Sequence, residues 1–98
     1  MTVNINKQDG KTVVTVNGEL DSFSSDEFQK ELAPLMGQEG LQVELDLVGV
    51  EYIASKGLRV ILALAQSIMP NGGSLKVVNL SPAVREAFDL TGFSSMFL

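Results

Sequence analysis

The chain of 98 residues contains no cysteine, no histidine and no tryptophan. Without cysteine it has no disulfide, no thiolate nucleophile and no zinc–sulfur site. Without histidine it lacks the imidazole base of a Ser-His-Asp triad and the most common transition-metal ligand. Carboxylates, hydroxyls, Lys, Arg and one Tyr remain for chemistry. We therefore expect a binding or signalling module rather than an enzyme, with no cofactor and no metal.

Basic residues are also scarce, because seven Lys and Arg stand against twelve Asp and Glu, a net charge of −5. This balance disfavours a nucleic-acid partner, since phosphate binding needs a basic surface. The longest apolar run, Val60–Ala65, is far shorter than the roughly 20 residues that span a bilayer. The first residues alternate polar and apolar side chains and do not resemble a signal peptide. We expect a single domain over residues 1–98, cytoplasmic and with no membrane contact.

Four segments show the patterns of β-strands. Val3 and Ile5 alternate with polar residues, and Thr12–Asn17 is rich in β-branched residues. The Asp9-Gly10 pair between these two segments is typical of a hairpin turn. A third strand is predicted where apolar and acidic residues alternate over Leu41–Leu47. A fourth, short strand is predicted over Leu75–Val78.

The first predicted helix follows the hairpin. Ser24 and Glu27 have the spacing of a capping box, with Ser24 as the N-cap. Phe23 and Phe28 lie at the two positions of a hydrophobic staple, which we favour over a binding patch. Pro34 removes a backbone donor late in the helix and should kink or end it.

Two more helices are predicted after the third and fourth strands. The second runs from about Lys56 to Met69, and the third opens with Ser81 as N-cap before Pro82 and ends near Gly92. Helical spacing places the apolar residues of the second helix on one stripe: Leu58, Ile61, Leu62, Ala65, Ile68 and Met69. The apolar end of the chain, from Phe93, is expected to form a final edge strand or a tail packed on the core.

The predicted order is therefore β-β-α-β-α-β-α, with an optional last β. Strands that alternate with helices pair in parallel, whereas the opening hairpin is antiparallel. The fold class is α/β, with a mixed sheet of four or five strands and three main helices.

The most informative segment, Asp46–Arg59, runs from the third strand through a loop to the start of the second helix. Ser55 stands where the N-cap belongs, and a helix N-terminus favours negative charge. Lys56 and Arg59 could hold a phosphate or pair with an acidic partner. The alternatives are that Ser55 simply caps the helix and that Arg59 is an ordinary solvated side chain.

Short motifs at matching positions along nearly the whole chain resemble the STAS-domain family of anti-sigma factor antagonists. Five motifs in the same order carry the resemblance: Gly18-Glu19-Leu20-Asp21, Asp46-Leu47 with Gly57-Leu58, Asn71-Gly72-Gly73-Ser74-Leu75, Leu80-Ser81-Pro82-Ala83-Val84 and Phe88-Asp89-Leu90-Thr91-Gly92-Phe93. The resemblance implies a STAS-like fold and a bacterial transcription regulator. It also implies a partner that is both an anti-sigma factor and a serine kinase, which releases the antagonist after phosphorylating it.

The resemblance also assigns roles to residues. It implies that Ser55 is the phosphoacceptor and that Asp21 is an acid beside it, while Asp46 lies at the end of the preceding strand. The remaining residues of the implied partner surface lie next to these in sequence: Ser22, Phe23, Ala54, Lys56, Gly57 and Arg59. An alternative for Asp21 is a local turn or a cap of the first helix, and for Asp46 an ordinary exposed acid.

Two positions depart from the family's commonest form, which has Asp before the serine and Ser or Thr after it. Ala54 and Lys56 stand there instead. A second hypothesis is therefore a non-switching STAS scaffold whose kinase site has been lost. A third, a nucleotide hydrolase built on Asp21, Asp46 and Ser55, is disfavoured because a hard cation needs more oxygen ligands. We expect a monomer or a weak dimer, and the edge of the opening hairpin is one place where a dimer could form.

Overall fold

The first two strands form the predicted hairpin. The computed structural model describes residues 1–98, and in it β1 (Thr2–Gln8) pairs antiparallel with β2 (Lys11–Asn17). Asp9 and Gly10 join them with φ of 52° and 81°. Positive φ at both central residues matches the twist of the flanking strands, so the Asp-Gly signal predicted this turn correctly.

Two parallel crossovers complete the sheet. α1 (Ser24–Leu32) connects β2 to β3 (Gln42–Gly49), and α2 (Ser55–Ile68) connects β3 to β4 (Ser74–Val78). The strand order is β1-β2-β3-β4, and β3 is parallel to both of its neighbours. The α/β class and the mixed sheet are confirmed, with four strands.

The end of the chain is helical, so the optional final strand is wrong. α3 (Pro82–Thr91) is followed by a short helix, α4 (Phe93–Phe97). The ring of Phe93 packs edge-on against Phe88 at 6.0 Å and against Phe97 at 5.6 Å. Residues four apart share one face of a helix, and these aromatic contacts stabilise that arrangement over an extended one.

One face of the sheet is buried and the other is open. Val14, Leu45 and Val77 lie side by side across three strands and are buried. The residues one position earlier in β3 and β4, Glu44 and Lys76, point to the opposite face of the sheet and reach solvent. The helices cover the buried face and complete one contiguous apolar cluster, to which they contribute Phe28, Leu32, Ile61, Leu64, Ile68, Val84, Phe88 and Phe97.

The helices differ in detail from the predicted ones. α1 ends at Leu32 and passes into a 3₁₀ turn that contains Pro34, as the proline predicted. In α2 the predicted stripe is partly wrong, since Met69 is exposed while Val60 and Leu64 are buried. Because α2 packs against both the sheet and α1, it buries a wider arc than a single stripe. No helix has the length and apolarity to cross a bilayer, and α2, the longest, has 14 residues.

Candidate functional site

The segment that follows β2 lies beside the loop that follows β3. The N–H of Leu20 donates to the carbonyl of Tyr52 at 3.1 Å, and the N–H of Ala54 donates to the carbonyl of Leu20 at 2.7 Å. These bonds continue the parallel pairing beyond the ends of the two strands. The next residue in each segment, Asp21 and Ser55, therefore lies at the same edge of the molecule. We call this region the Ser55 edge, defined by residues 21–23 and 54–59.

Asp21, and not Ser24, supplies the side-chain oxygen that caps the turn leading into α1, which corrects the predicted capping box. Its Oδ1 accepts the N–H of Ser24 at 2.8 Å, the hydroxyl of Ser24 at 3.0 Å and the N–H of Phe23 at 2.9 Å. In return the N–H of Asp21 donates to the Ser24 hydroxyl at 3.0 Å. Ser24 is thus the first helical residue rather than the N-cap. The donors from Ser24 and Phe23 stabilise the carboxylate and lower the pKa of Asp21 below its ordinary value.

This cap leaves Phe23 on the surface. Its side chain is 89% exposed, whereas that of Phe28 is fully buried, so the predicted hydrophobic staple is wrong. Asp21 and Ser24 are both residues that commonly cap helices, so the local sequence does not decide between them. Because Asp21 makes the capping bonds, Phe23 lies in the turn before the helix. Beside it, Ser22 is exposed as well. Exposed aromatic side chains are common anchors of protein interfaces.

Ser55 is the first residue of α2 and not its N-cap, which corrects a second prediction. The N-cap is Ala54, in an extended conformation, whose carbonyl accepts the N–H of Leu58 at 3.1 Å. The helical hydrogen bonds begin at Ala54 because the hydrogen bond from its N–H to the carbonyl of Leu20 fixes its position. A methyl group cannot accept a hydrogen bond, and the first turn holds no acidic residue. The N–H groups at the start of α2 therefore have no side-chain acceptor, and Ser55 is exposed beside them.

Basic side chains lie next to Ser55. Lys56 Nζ is 2.9 Å from Asp26 Oδ1, which links the first turns of α2 and α1. Arg59 is exposed one turn further along and, with Lys56, Gln29 and Val60, lines a shallow groove between the two helices. Asp26 is absent from the predicted site residues, because an acid in the first turn of a helix is common and nothing in the local sequence indicates a partner on another helix.

Gly57 allows α2 to approach the segment before Asp21. A Cβ at this position would lie 3.0 Å from Ile53 Cγ1, 3.2 Å from Leu20 Cβ and 3.3 Å from the Leu20 carbonyl oxygen. Leu20 and Ile53 also form an isolated parallel bridge. The glycine therefore positions the Ser55 edge by packing.

Asp46 does not join this edge. It lies within β3, where its Oδ1 accepts the N–H of Val48 at 3.0 Å and the side-chain amide of Asn79 at 3.1 Å. Asn79 follows β4 and has a φ of 58°, a conformation that Asn tolerates better than most residues. Asp46 thus connects β3 to the turn between β4 and α3. No group of three or more acidic side chains is arranged to hold a metal ion.

Comparison with known proteins finds matches over nearly the whole chain. The family model for the STAS domain matches residues 2–98. The protein BtrV of Bordetella bronchiseptica is 35% identical over 97 residues, which are 99% of this chain and 84% of BtrV. The anti-sigma-B factor antagonist of Bacillus subtilis is 32% identical over 98% of this chain and 89% of its own length. The crystal structure of an anti-sigma factor antagonist from Mycobacterium paratuberculosis superposes with a TM-score of 0.82, at 26% identity, over 98% of this chain and 81% of the other.

Proposed function

The chain belongs to the STAS domain family, and we propose that it is an anti-sigma factor antagonist that binds a serine kinase acting as anti-sigma factor. Phosphorylation of Ser55 ends this binding. The observation that carries the proposal is the exposed hydroxyl of Ser55 at the first position of α2, next to helical N–H groups without a side-chain acceptor.

The chain supplies only the acceptor in this reaction. The Oγ of Ser55 forms a bond to the γ-phosphorus of ATP held by the kinase, and the bond between that phosphorus and the ADP oxygen breaks. The hydroxyl proton passes to a base of the kinase. This chain has no histidine to accept it, and no carboxylate of the chain is hydrogen-bonded to the Ser55 hydroxyl. Ala54 and Lys56 flank the acceptor, so the proposed kinase accepts a small apolar residue before the serine and a cation after it.

The partner covers the Ser55 edge in the unphosphorylated state. Phe23 is the proposed anchor, because burying this exposed ring stabilises the complex without disturbing the core. Asp21 acts through the turn that it caps and so positions Phe23. Lys56 and Arg59 extend the surface along α2 and favour a partner with acidic side chains opposite them.

Phosphorylation favours release for two physical reasons. A phosphoryl group adds a charge of about −1.5 to −2, which must be desolvated if the interface closes over it. In the free chain the same group meets the unoccupied N–H groups of the first turn of α2. It also competes with Asp26 for Lys56, which lies at the next position. Phosphorylation therefore shifts the binding equilibrium from the complex with the partner toward the free chain.

The acceptor is tested by incubating the chain with its kinase and ATP and measuring the intact mass. The native chain should gain one phosphoryl group, and Ser55→Ala should gain none. Ser22→Ala is the matched control, because Ser22 is also exposed at the Ser55 edge, and it should be modified like the native chain. Full modification of Ser55→Ala would show that the acceptor is another residue.

The switch is tested by measuring the affinity of Ser55→Asp for the partner by calorimetry. Affinity should fall at least about tenfold, which is 1.4 kcal/mol. The thermal midpoint should stay level or rise, because an acid in the first turn of a helix is favourable. Ser95→Asp, an exposed change on α4, should bind normally. If Ser55→Asp binds as tightly as the native chain, the non-switching scaffold is correct instead.

A further inference from the structure

β1 presents a long unpaired edge. It is the first strand in the sheet order and pairs only with β2. Its seven residues include no proline, and Lys7 is the single charged side chain. Such an edge can pair with another strand, and natural proteins usually protect it with charges, prolines or short length. β4, at the opposite edge, has only five residues, with Lys76 at its centre.

The turn fixes which backbone groups of β1 are free. Gln8 and Lys11 flank the two-residue turn and therefore form a hydrogen-bonded pair. Hydrogen-bonded and non-bonded pairs alternate along an antiparallel ladder. The N–H and C=O groups of Val3, Ile5 and Lys7 consequently point away from β2 and are available to a new strand.

We propose that a second copy of this chain pairs antiparallel along β1, with the two-fold axis at Ile5, to form a continuous eight-stranded sheet. Ile5 is the central residue of β1, so this register overlaps the whole strand. It sets Ile5 against Ile5 and Val3 against Lys7, and the free N–H and C=O groups of these residues all find partners. Lys7 of one copy lies opposite an apolar residue, so no like charges meet.

The side chains agree with this register on both faces of the sheet. Ile5 lies beside Val14 on the buried face and is 37% exposed. Its contact with Ile5 of the second copy therefore extends the apolar layer across the interface. On the open face Asn4 lies opposite Asn6, and the two amides can exchange hydrogen bonds.

The dimer is independent of the proposed switch. Ser55 follows β3, which lies two strands from β1. Both copies thus keep the Ser55 edge accessible, and one dimer presents two acceptor serines.

Sedimentation equilibrium of the native chain over a concentration series measures the association. We expect a monomer–dimer equilibrium that Ile5→Lys weakens at least about tenfold, because it removes the central apolar pair and opposes two ammonium groups. Leu90→Lys adds the same charge at a side chain that is 80% exposed on α3, and it should leave the equilibrium unchanged. A native chain that stays monomeric, or a dimer weakened only by Leu90→Lys, would overturn the proposal.

Cross-linking tests the register without touching the core, and the absence of native cysteine makes it specific. Opposite residues in a non-hydrogen-bonded pair have Cα atoms about 4.5 Å apart, within the range of a disulfide. The double variant Asn4→Cys with Asn6→Cys should therefore form a covalent dimer under mild oxidation, and Asn4→Cys alone should form far less. Equal cross-linking of the single and double variants would contradict the register.

Discussion

Replacing Gly57 by alanine should destabilise the protein and loosen the Ser55 edge. The added Cβ would meet Ile53 and Leu20 at 3.0 to 3.3 Å, closer than ordinary van der Waals contact, and these neighbours are themselves packed. Overpacking of this kind costs about 1–3 kcal/mol. The gain in helix propensity from Gly to Ala is about 1 kcal/mol. The net loss should be about 1 kcal/mol, and the melting temperature should fall by about 4–8 °C.

Two measurements check this reasoning. Urea unfolding gives the loss of stability, and amide hydrogen exchange reports the bond from the Ala54 N–H to the carbonyl of Leu20, which should open more readily in Gly57→Ala. Gln66→Ala is the control, since Gln66 is exposed on the same helix and its replacement should change stability by less than about 0.5 kcal/mol. If Gly57→Ala is more stable than the native chain and the Ala54 amide exchanges at the native rate, close packing does not require this glycine.

Asp21→Asn should lower the melting temperature at pH 7, because it removes a carboxylate that favours the N-terminus of α1. The native pKa of Asp21 is lowered, so its contribution is complete above the unfolded value of about 3.9 and is lost as the pH falls through the folded value. The difference in melting temperature between native and Asp21→Asn should therefore shrink below about pH 4. A double-mutant cycle of Lys56→Ala and Asp26→Ala should give a coupling of only about 0.2–1 kcal/mol, reduced by salt, because both side chains are about half exposed. Phe23→Ser should change the unfolding free energy by less than about 0.5 kcal/mol but weaken partner binding at least about tenfold in a titration.

The sequence predicted the elements of the fold because their signals are local. The alternation in β3, the Asp9-Gly10 turn and the Ser81-Pro82 start of α3 each need only a few adjacent residues. Ser81 Oγ does accept the N–H of Val84, at 3.3 Å, as an N-cap should. The secondary structure of the last residues, from Phe93 onward, was ambiguous because a short apolar run fits either a strand or a helix. The contact between Phe93 and Phe88 favours the helix.

The start of each site helix was misplaced for a common reason. Asp21 and Ser24 are both good N-cap residues, and Ser55 is a better one than Ala54. The choice depends on the segment around Leu20, which pairs with the loop after β3 across more than 30 residues of chain. Because this pairing joins residues far apart in the chain, no pattern in the neighbouring sequence predicts it. The proximity of Asp21 and Ser55, by contrast, was implied by the family resemblance, and the structure supplies its backbone geometry.

Tyr52, whose carbonyl binds the N–H of Leu20, is the single tyrosine of a chain without tryptophan. Its ring is about half exposed, three residues before Ser55. Apart from the weak emission of phenylalanine, the intrinsic fluorescence of the protein therefore comes from Tyr52, beside the Ser55 edge. The unlabelled protein thus contains its own optical reporter, whose emission and quenching by iodide follow events at this one location.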